Sequence, residues 1–213
     1  MTHKHQMPTL ATLCAQGDFL TILNKRNLLL FAFLYFIYAM AGMGISFLVI
    51  PLLFLAQPFH SEELGASALY YAPVRPYHLV KGRYLFAYLL LLVLLAMNAI
   101  LTLLLYFGKA DLQFISPQSL LLLLLFYTIL ISGLLPLFFA KGYRKGLHGL
   151  YGTIILFLVL SYLAQEFSWN QNLDAFLTGK AFLPVILILL AAAGIVLLRS
   201  YRFSIKAYDH LDH

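Results

Sequence analysis

The stretch Ser61–Tyr84, SEELGASALYYAPVRPYHLVKGRY, is the longest polar interruption between the apolar runs of this chain. It holds two glutamates, two arginines, a lysine and four tyrosines, and the segments on either side are almost free of charge. The whole chain is 62% hydrophobic and 10% charged, whereas soluble domains average about 25% charged residues. The pattern therefore predicts a membrane protein in which Ser61–Tyr84 is the largest segment that a soluble partner could contact.

Within the first 26 residues, the stretch that begins at Leu10 is expected to form a helix that lies in the membrane interface. Apolar residues recur between Leu10 and Leu23 at roughly helical spacing, and polar residues such as Gln16 and Asp18 lie between them. An ordinary extension ahead of the first span is the alternative. The apolar run that follows Lys25 and Arg26 is far longer than the roughly 7–15 residues of a signal peptide, so it is expected to be retained as a span.

The apolar run 28–57 could form one long helix or two short ones. One helix would be about 45 Å long against a hydrocarbon core of about 30 Å, while two helices would turn near Ala41–Gly44. Charge placement favours two. With six spans and the N-terminus inside, all but Lys109 and Lys180 of the 14 lysines and arginines lie on the cytoplasmic side, as the positive-inside rule requires.

The sequence thus predicts an all-α integral membrane protein with six transmembrane helices and both termini in the cytoplasm. It is expected to form a single transmembrane domain over residues 1–213. The spans are expected at approximately 27–42, 44–58, 83–107, 117–140, 147–165 and 181–199.

Few residues at the expected membrane depth are polar, and none is ionisable. Asn98 and Thr102 lie one turn apart on the third expected span, and Thr128 and Ser132 lie one turn apart on the fourth. The first interpretation is that these groups hydrogen-bond between helices. A position along a substrate path is the alternative.

The sequence contains no P-loop and no HExxH pattern. Gly108-Lys109 and Gly179-Lys180 lack the Ser or Thr and the earlier glycine of a P-loop, and the seven histidines form no HExxH pattern. We therefore assign no catalytic, cofactor-binding or metal-binding residue and expect a non-catalytic subunit. The formal charge of +6 is attributed to cytoplasmic loops and not to nucleic-acid binding.

The polar stretch is predicted to contain a short cytoplasmic helix, a break and a second helix. Ser61 can cap a helix whose first turn holds Glu62 and Glu63, because acidic side chains suit the positive end of the helix dipole. Pro73 would end that helix, and Pro76 would open the next as its first residue. Such an arrangement could act as a lever between a soluble partner and the third span. A plain connecting loop is the alternative.

Two motifs resemble those of the ABC-2 type transporter permeases, in particular the small six-span bacterial group. The first motif leads into the third span and reads Tyr70-Tyr71-Ala72-Pro73-Val74-Arg75, followed by Arg83-Tyr84-Leu85. The second lies late in the fourth span and continues into a basic turn, from Pro136 through Gly142-Tyr143-Arg144. The basic tail Arg199-Ser200-Tyr201-Arg202 after the sixth span is also similar.

The resemblance implies the permease subunit of an ABC exporter in the bacterial inner membrane. It would pair with a dimer of cytosolic ABC ATPases and with a second permease copy or a paralogue, within membrane lipid. The substrate would be a peptide, an antibiotic, a lipid or a polysaccharide. The segment between spans 2 and 3 would be the coupling helix that docks the ATPase, through Ser61, Glu62, Glu63, Leu64, Leu69, Tyr70, Pro73, Val74 and Arg75. The rival hypothesis is a non-transporting membrane scaffold or immunity protein.

Overall fold

The computed structural model describes residues 13–18, 29–30, 33–34, 48–63, 75–107, 117–166, 179 and 182–209. Within these ranges the backbone is helical apart from single turn and cap positions, and no strand occurs. An all-α chain is what such an apolar composition requires, because a helix satisfies its backbone hydrogen bonds within one segment. The prediction of an all-α protein is therefore confirmed for the described part of the chain.

Two short helices lie ahead of the long ones and are separated by a single residue. Helix α1 covers Val49–Leu55, α2 covers Gln57–Glu63, and Ala56 lies between them. The stretch Val49–His60 is apolar but shorter than a membrane span. The expected turn at Ala41–Gly44 and most of the first expected span lie outside the described residues.

Helix α3 covers Pro76–Phe107 and begins at the proline, as the sequence predicted. The carbonyl of Arg75 accepts the backbone N–H groups of His78 and Leu79 at 2.9 and 3.4 Å, so Arg75 caps the helix. Proline suits the first helical position because that residue has no intrahelical partner for an N–H group. The helix is about 48 Å long at 1.5 Å per residue, so it begins well before its apolar part.

Helix α4 covers Pro117–Glu166, also begins at a proline, and reverses direction at Gly142. Gly142 has φ 74° and ψ 178°, a conformation that is essentially restricted to glycine. A Cβ atom built on Gly149 would lie 2.9 Å from Leu137 Cδ1, although these residues would be about 18 Å apart along a straight helix. The chain therefore forms a helical hairpin, with segments α4a (117–141) and α4b (143–166).

Helix α5 covers Phe182–Asp209 and makes its largest contact with α4 and a smaller one with α3. It continues beyond residue 199, where the sixth span was expected to end. Its outer surface exposes large apolar side chains, among them Leu183, Leu187, Ile188, Ile195 and Leu198. Such an apolar surface is suited to contact with membrane lipid.

The described helices include three that are long and apolar enough to cross a membrane. These are Pro76–Ile100, Leu120–Leu160 and Phe182–Asp209, and the second contains the hairpin turn. A core of buried apolar side chains joins α1, α2, α3 and both halves of α4, and α5 packs against it. Leu52, Val80, Tyr127, Leu135 and Phe138 are typical members.

The predicted start of the cytoplasmic helix at Ser61 is wrong. Ser61, Glu62 and Glu63 lie at the end of α2, and the first turn of α2 contains no acidic residue. The carboxylates of Glu62 and Glu63 contact side chains of other helices. The rest of the predicted helix, from Leu64 to Pro73, lies outside the described residues.

Candidate functional site

Arg83 lies two turns into α3 and is 1% exposed, although it carries a full charge. Its Nη2 atom lies 3.1 Å from Glu62 Oε2, and its Nε atom lies 3.1 Å from Asp18 Oδ2. Only the contact with Glu62 has the geometry of a hydrogen bond. The Nη1 atom has no acceptor among the described residues. Charged groups are buried in proteins only where they are paired, so these two carboxylates explain how Arg83 can lie inside.

Two aromatic residues complete this group. The ring of Phe59 lies under the guanidinium, with 4.7 Å between its centroid and Arg83 Cζ, a distance typical of a cation–π contact. The Tyr208 hydroxyl donates to Glu62 Oε1 at 2.8 Å. Asp18, Phe59, Glu62, Arg83 and Tyr208 are together named the Arg83 cluster. It joins the helical segment 13–18, α2, α3 and α5.

Asp18 is 3% exposed and shares one guanidinium with Glu62. Burial raises the pKa of its carboxyl to about 6, the Arg83 charge opposes that rise, and the Glu62 charge adds to it. The sequence pattern predicts that Asp18 is one of the polar residues that alternate with the apolar ones in an interfacial helix. In the structure Cys14, Ala15 and Asp18 are buried and Leu13 is exposed, because Asp18 faces Arg83.

The turn of the α4 hairpin lies beside the end of α2. Arg144 Nε is 3.2 Å from Glu63 Oε1 in an exposed ion pair, and the rings of His60 and Tyr143 are 4.8 Å apart. The ring of Phe59 stacks on the ring of Phe138, and the two ring centroids are 4.7 Å apart. A groove of about 490 Å³ opens here. It is lined by Phe59, Glu62, Glu63, Phe138, Phe139, Lys141, Gly142, Tyr143, Arg144, Lys145 and Tyr208.

A chain of hydroxyl groups joins α3, α4a and α5 next to the Arg83 cluster. Pro136 lies inside α4a and has no N–H group, so the carbonyl of Ser132, four residues earlier, loses its usual helical donor. Ser200 Oγ donates to that carbonyl at 2.7 Å. Ser200 must then accept from the Tyr84 hydroxyl, 2.5 Å away, and Ser204, at 3.1 Å, donates to Tyr84.

A family model described as ABC-2 family transporter protein matches residues 17–209. The match covers most of the chain and includes every helix from α1 to α5. The chain belongs to the ABC-2 transporter family. Comparison with curated proteins and with solved structures gives no match. Family membership and the apolar helices identify a multi-pass membrane protein.

Proteins of the ABC-2 family are membrane components that associate with an ABC ATPase and are normally not catalytic themselves. The resemblance seen in the two sequence motifs is therefore confirmed at the level of the family. Among the described residues, no group of three His, Cys, Asp or Glu side chains comes together to hold a metal ion.

In this ABC-2 transporter, the predicted docking residues are only partly described. Glu62 is half-buried within the Arg83 cluster, Glu63 is exposed, and Arg75 is exposed at the start of α3. Ser61 lies in α2, but its side chain is outside the described residues. Leu64, Leu69, Tyr70, Pro73 and Val74 also lie outside them. The docking role of the whole set remains a prediction.

The two polar residues predicted for the fourth span lie within the helix bundle. Thr128 and Ser132 are buried, and their hydroxyls donate to the carbonyls of Leu124 and Thr128 at 2.8 and 2.6 Å. Tyr88 also contacts Thr128 across the bundle, at 3.2 Å. The first two bonds lie within α4a, and only the contact with Tyr88 joins two helices. The choice between packing and a substrate path stays a prediction. Asn98 is half-buried, and the side chain of Thr102 is outside the described residues.

The residues of the second family motif have separate structural tasks. Pro136 frees a carbonyl in α4a, Gly142 reverses the chain, and Tyr143 and Arg144 contact α2. Sequence reasoning missed the Arg83 cluster. One signal pointed to it, since Arg83 and Tyr84 stand at the start of a long apolar run within the first motif.

Proposed function

We propose that this chain is the transmembrane permease of an ABC exporter, driven by ATP that a separate cytosolic ATPase dimer hydrolyses. It would work with a second permease copy or a paralogue in the bacterial inner membrane. The substrate would be a peptide, an antibiotic, a lipid or a polysaccharide, as for the permeases that it resembles. Membership of the ABC-2 family supports the transport role.

The observation that carries the proposal is the convergence of three separate segments at one end of the bundle. The end of α2 contacts the start of α3 through Arg83, the hairpin turn through Arg144, and the end of α5 through Tyr208. The positive-inside rule independently assigns all three segments to the cytoplasm. A cytosolic ATPase would therefore meet one connected surface that leads into α3, α4 and α5.

Six spans fit this arrangement. The two halves of α4 are each about 36 Å long at 1.5 Å per residue, so each can cross a hydrocarbon core of about 30 Å. The hairpin turn with Lys141, Arg144 and Lys145 then lies in the cytoplasm. Both termini of the chain lie there as well.

The docking role is tested by Leu64→Asp, with Ser67→Asp as the matched control. Both substitutions add one negative charge to the same segment, but only the first removes an apolar side chain. Apolar and aromatic anchors contribute most at interfaces, whereas exposed ion pairs contribute about 0–1 kcal/mol. We expect Leu64→Asp to reduce co-purification of the ATPase at least tenfold, and Ser67→Asp to leave it within about twofold.

Glu63→Gln should weaken docking less than Leu64→Asp, and mainly at low salt, because exposed charges are screened. Glu62 is less suitable as a test of docking because it is paired inside the Arg83 cluster. Equal recovery of the ATPase with the unmodified chain and with Leu64→Asp would show that the segment only connects two helices. Repeated recovery of the unmodified chain without any ATPase would favour a scaffold or immunity protein.

A further inference from the structure

The contact between Arg83 and Glu62 bridges the predicted docking segment. Glu62 lies at the start of that segment, and Arg83 lies beyond its end, in the second turn of α3 and 21 residues after Glu62. Their hydrogen bond of 3.1 Å joins α2 directly to α3. The end of α2 can therefore move away from α3 only if this bond breaks.

Breaking the bond would leave a charged guanidinium inside the protein with one carboxylate fewer. A buried charge that loses its partner is strongly destabilising, and Arg83 is 1% exposed. Tyr208 holds the other oxygen of Glu62 at 2.8 Å. Moving α2, α3 and the end of α5 together therefore costs less than separating them.

The position needs arginine and not only a positive charge. Two different nitrogen atoms of its planar fork face two different carboxylates, on Asp18 and Glu62, and the Phe59 ring lies under the plane. A lysine ammonium is a single point charge that cannot reproduce this fork. Arginine and lysine are therefore distinguishable at this site although their charges are equal.

We propose that Arg83 is a positioning residue that transmits movement of the docking segment directly to α3, across the Glu62 pair, in parallel with the chain through 64–75. The inference rests on the proposed function, because it assumes that an ATPase moves this segment. Asp18 extends the same connection to the helical segment 13–18. Tyr208 extends it to α5.

The test uses the full-length chain in complex with its ATPase, reconstituted in lipid. Nitroxide labels on cysteines at Lys81 in α3 and Tyr162 in α4b, both exposed, report the distance between these helices before and after ATP is added. Cys14 is replaced first. The variants are Arg83→Lys and Glu62→Gln, and Arg202→Lys is the matched control because Arg202 is exposed on α5.

We expect ATP to change the label distance in the unmodified complex and in Arg202→Lys. In Arg83→Lys and Glu62→Gln the change should fall to less than about a third when complexes with equal amounts of bound ATPase are compared. In Arg83→Lys, ATPase recruitment and ATP hydrolysis should also stay within about twofold. A purely structural role for Arg83 would instead lower recruitment and hydrolysis together with the distance change. Thermal unfolding of each variant in the same lipid shows whether it is folded.

A full distance change in either folded variant would overturn the inference. If Arg83→Lys does not fold, Glu62→Gln alone decides, since it leaves Arg83 paired with Asp18. An unmodified complex that binds ATPase but shows no distance change would also overturn it. An unmodified chain that binds no ATPase contradicts the proposed function instead, so the two failures are distinguishable.

Discussion

The carboxyl of Asp18 is buried, and burial disfavours its charged form. Its pKa is raised from 3.8 to about 6 in the folded protein, with burial as the main cause. A raised pKa means that the folded state binds the proton more tightly than the unfolded state. The resulting stabilisation is fully present below pH 3.8 and is lost as the pH rises through about 6.

The first prediction follows from that linkage. Asp18→Asn cannot ionise, so it should match the unmodified protein at pH 4 and become more stable than it as the pH rises through 6. The difference should reach the order of 2–3 kcal/mol, at about 1.4 kcal/mol for each pK unit. Thermal unfolding in detergent between pH 4 and 8 measures it. A less stable Asp18→Asn at pH 8 would show that the pair with Arg83 outweighs the cost of burial.

The carbonyl that Pro136 leaves without a helical donor gives the second prediction. Ser200→Ala removes the hydroxyl that donates to Ser132 O and should lower the free energy of unfolding by about 1–2 kcal/mol. Pro136→Ala restores an N–H group to the same carbonyl. In that background Ser200→Ala should cost clearly less, and a double-mutant cycle on thermal unfolding measures the difference.

Ser204→Ala is the control for this cycle. It removes a hydroxyl of the same chain but leaves the bond between Ser200 and Ser132 in place. Its cost should therefore be the same with Pro136 and with Ala at position 136. Equal costs of Ser200→Ala in both backgrounds would contradict the explanation given for this bond.

At the scale of elements, the reversal of α4 depends on one residue. A Cβ atom on Gly142 would meet nothing within 4 Å, so any cost of substitution comes from the backbone. With φ 74° and ψ 178°, Gly142→Ala should destabilise the protein by about 1–3 kcal/mol. The shift in thermal unfolding temperature measures this third prediction.

Two other glycines of α4 are matched controls. Gly133 also has free space around a Cβ atom but a negative φ, so Gly133→Ala should be neutral or stabilising by up to about 1 kcal/mol. At Gly146, a Cβ atom would overlap the Phe138 ring, and Gly146→Ala should destabilise through packing. A Gly142→Ala protein as stable as Gly133→Ala would show that the turn does not require glycine.

The sequence predicted helix starts well where the signal is local. Pro76 opens its helix as expected, because proline fits the first turn whatever packs around it. Ser61 followed by Glu62 and Glu63 gave an equally plausible local signal and a wrong start. The partners of those glutamates lie on α3, α4 and α5, and no local pattern reports such distant contacts.

The same reasoning explains what sequence analysis missed in the candidate site. The Arg83 cluster collects side chains from four places in the chain, and Tyr208 contacts Glu62 across 146 positions. The family motif marked Arg83 and Tyr84 as notable but gave no partner for either. Composition and charge placement, by contrast, depend on sums over whole segments and so indicated the membrane class without any contact being known.

At the scale of the whole molecule, the proposed topology gives the fourth prediction. After removal of Cys14, a cysteine at Lys109 or Trp169 should react with an impermeant thiol reagent added outside intact cells. A cysteine at His78 or Lys145 should react only after the cells are opened. Labelling intensity on gels measures both. Reaction of position 78 from outside would exclude six spans with cytoplasmic termini.

The hydrogen bond between Tyr208 and Glu62 can form only late in the synthesis of the chain. Glu62 and Arg83 leave the ribosome long before Tyr208, and α3 and α4 are made before the α5 surface that packs on them. The cluster is therefore unfinished until α5 is in place, and a chain that stops early keeps a charged group open to water. A chain that ends before α5 lacks the hydroxyl that donates to Glu62 Oε1, so we expect it to be less stable than the complete chain.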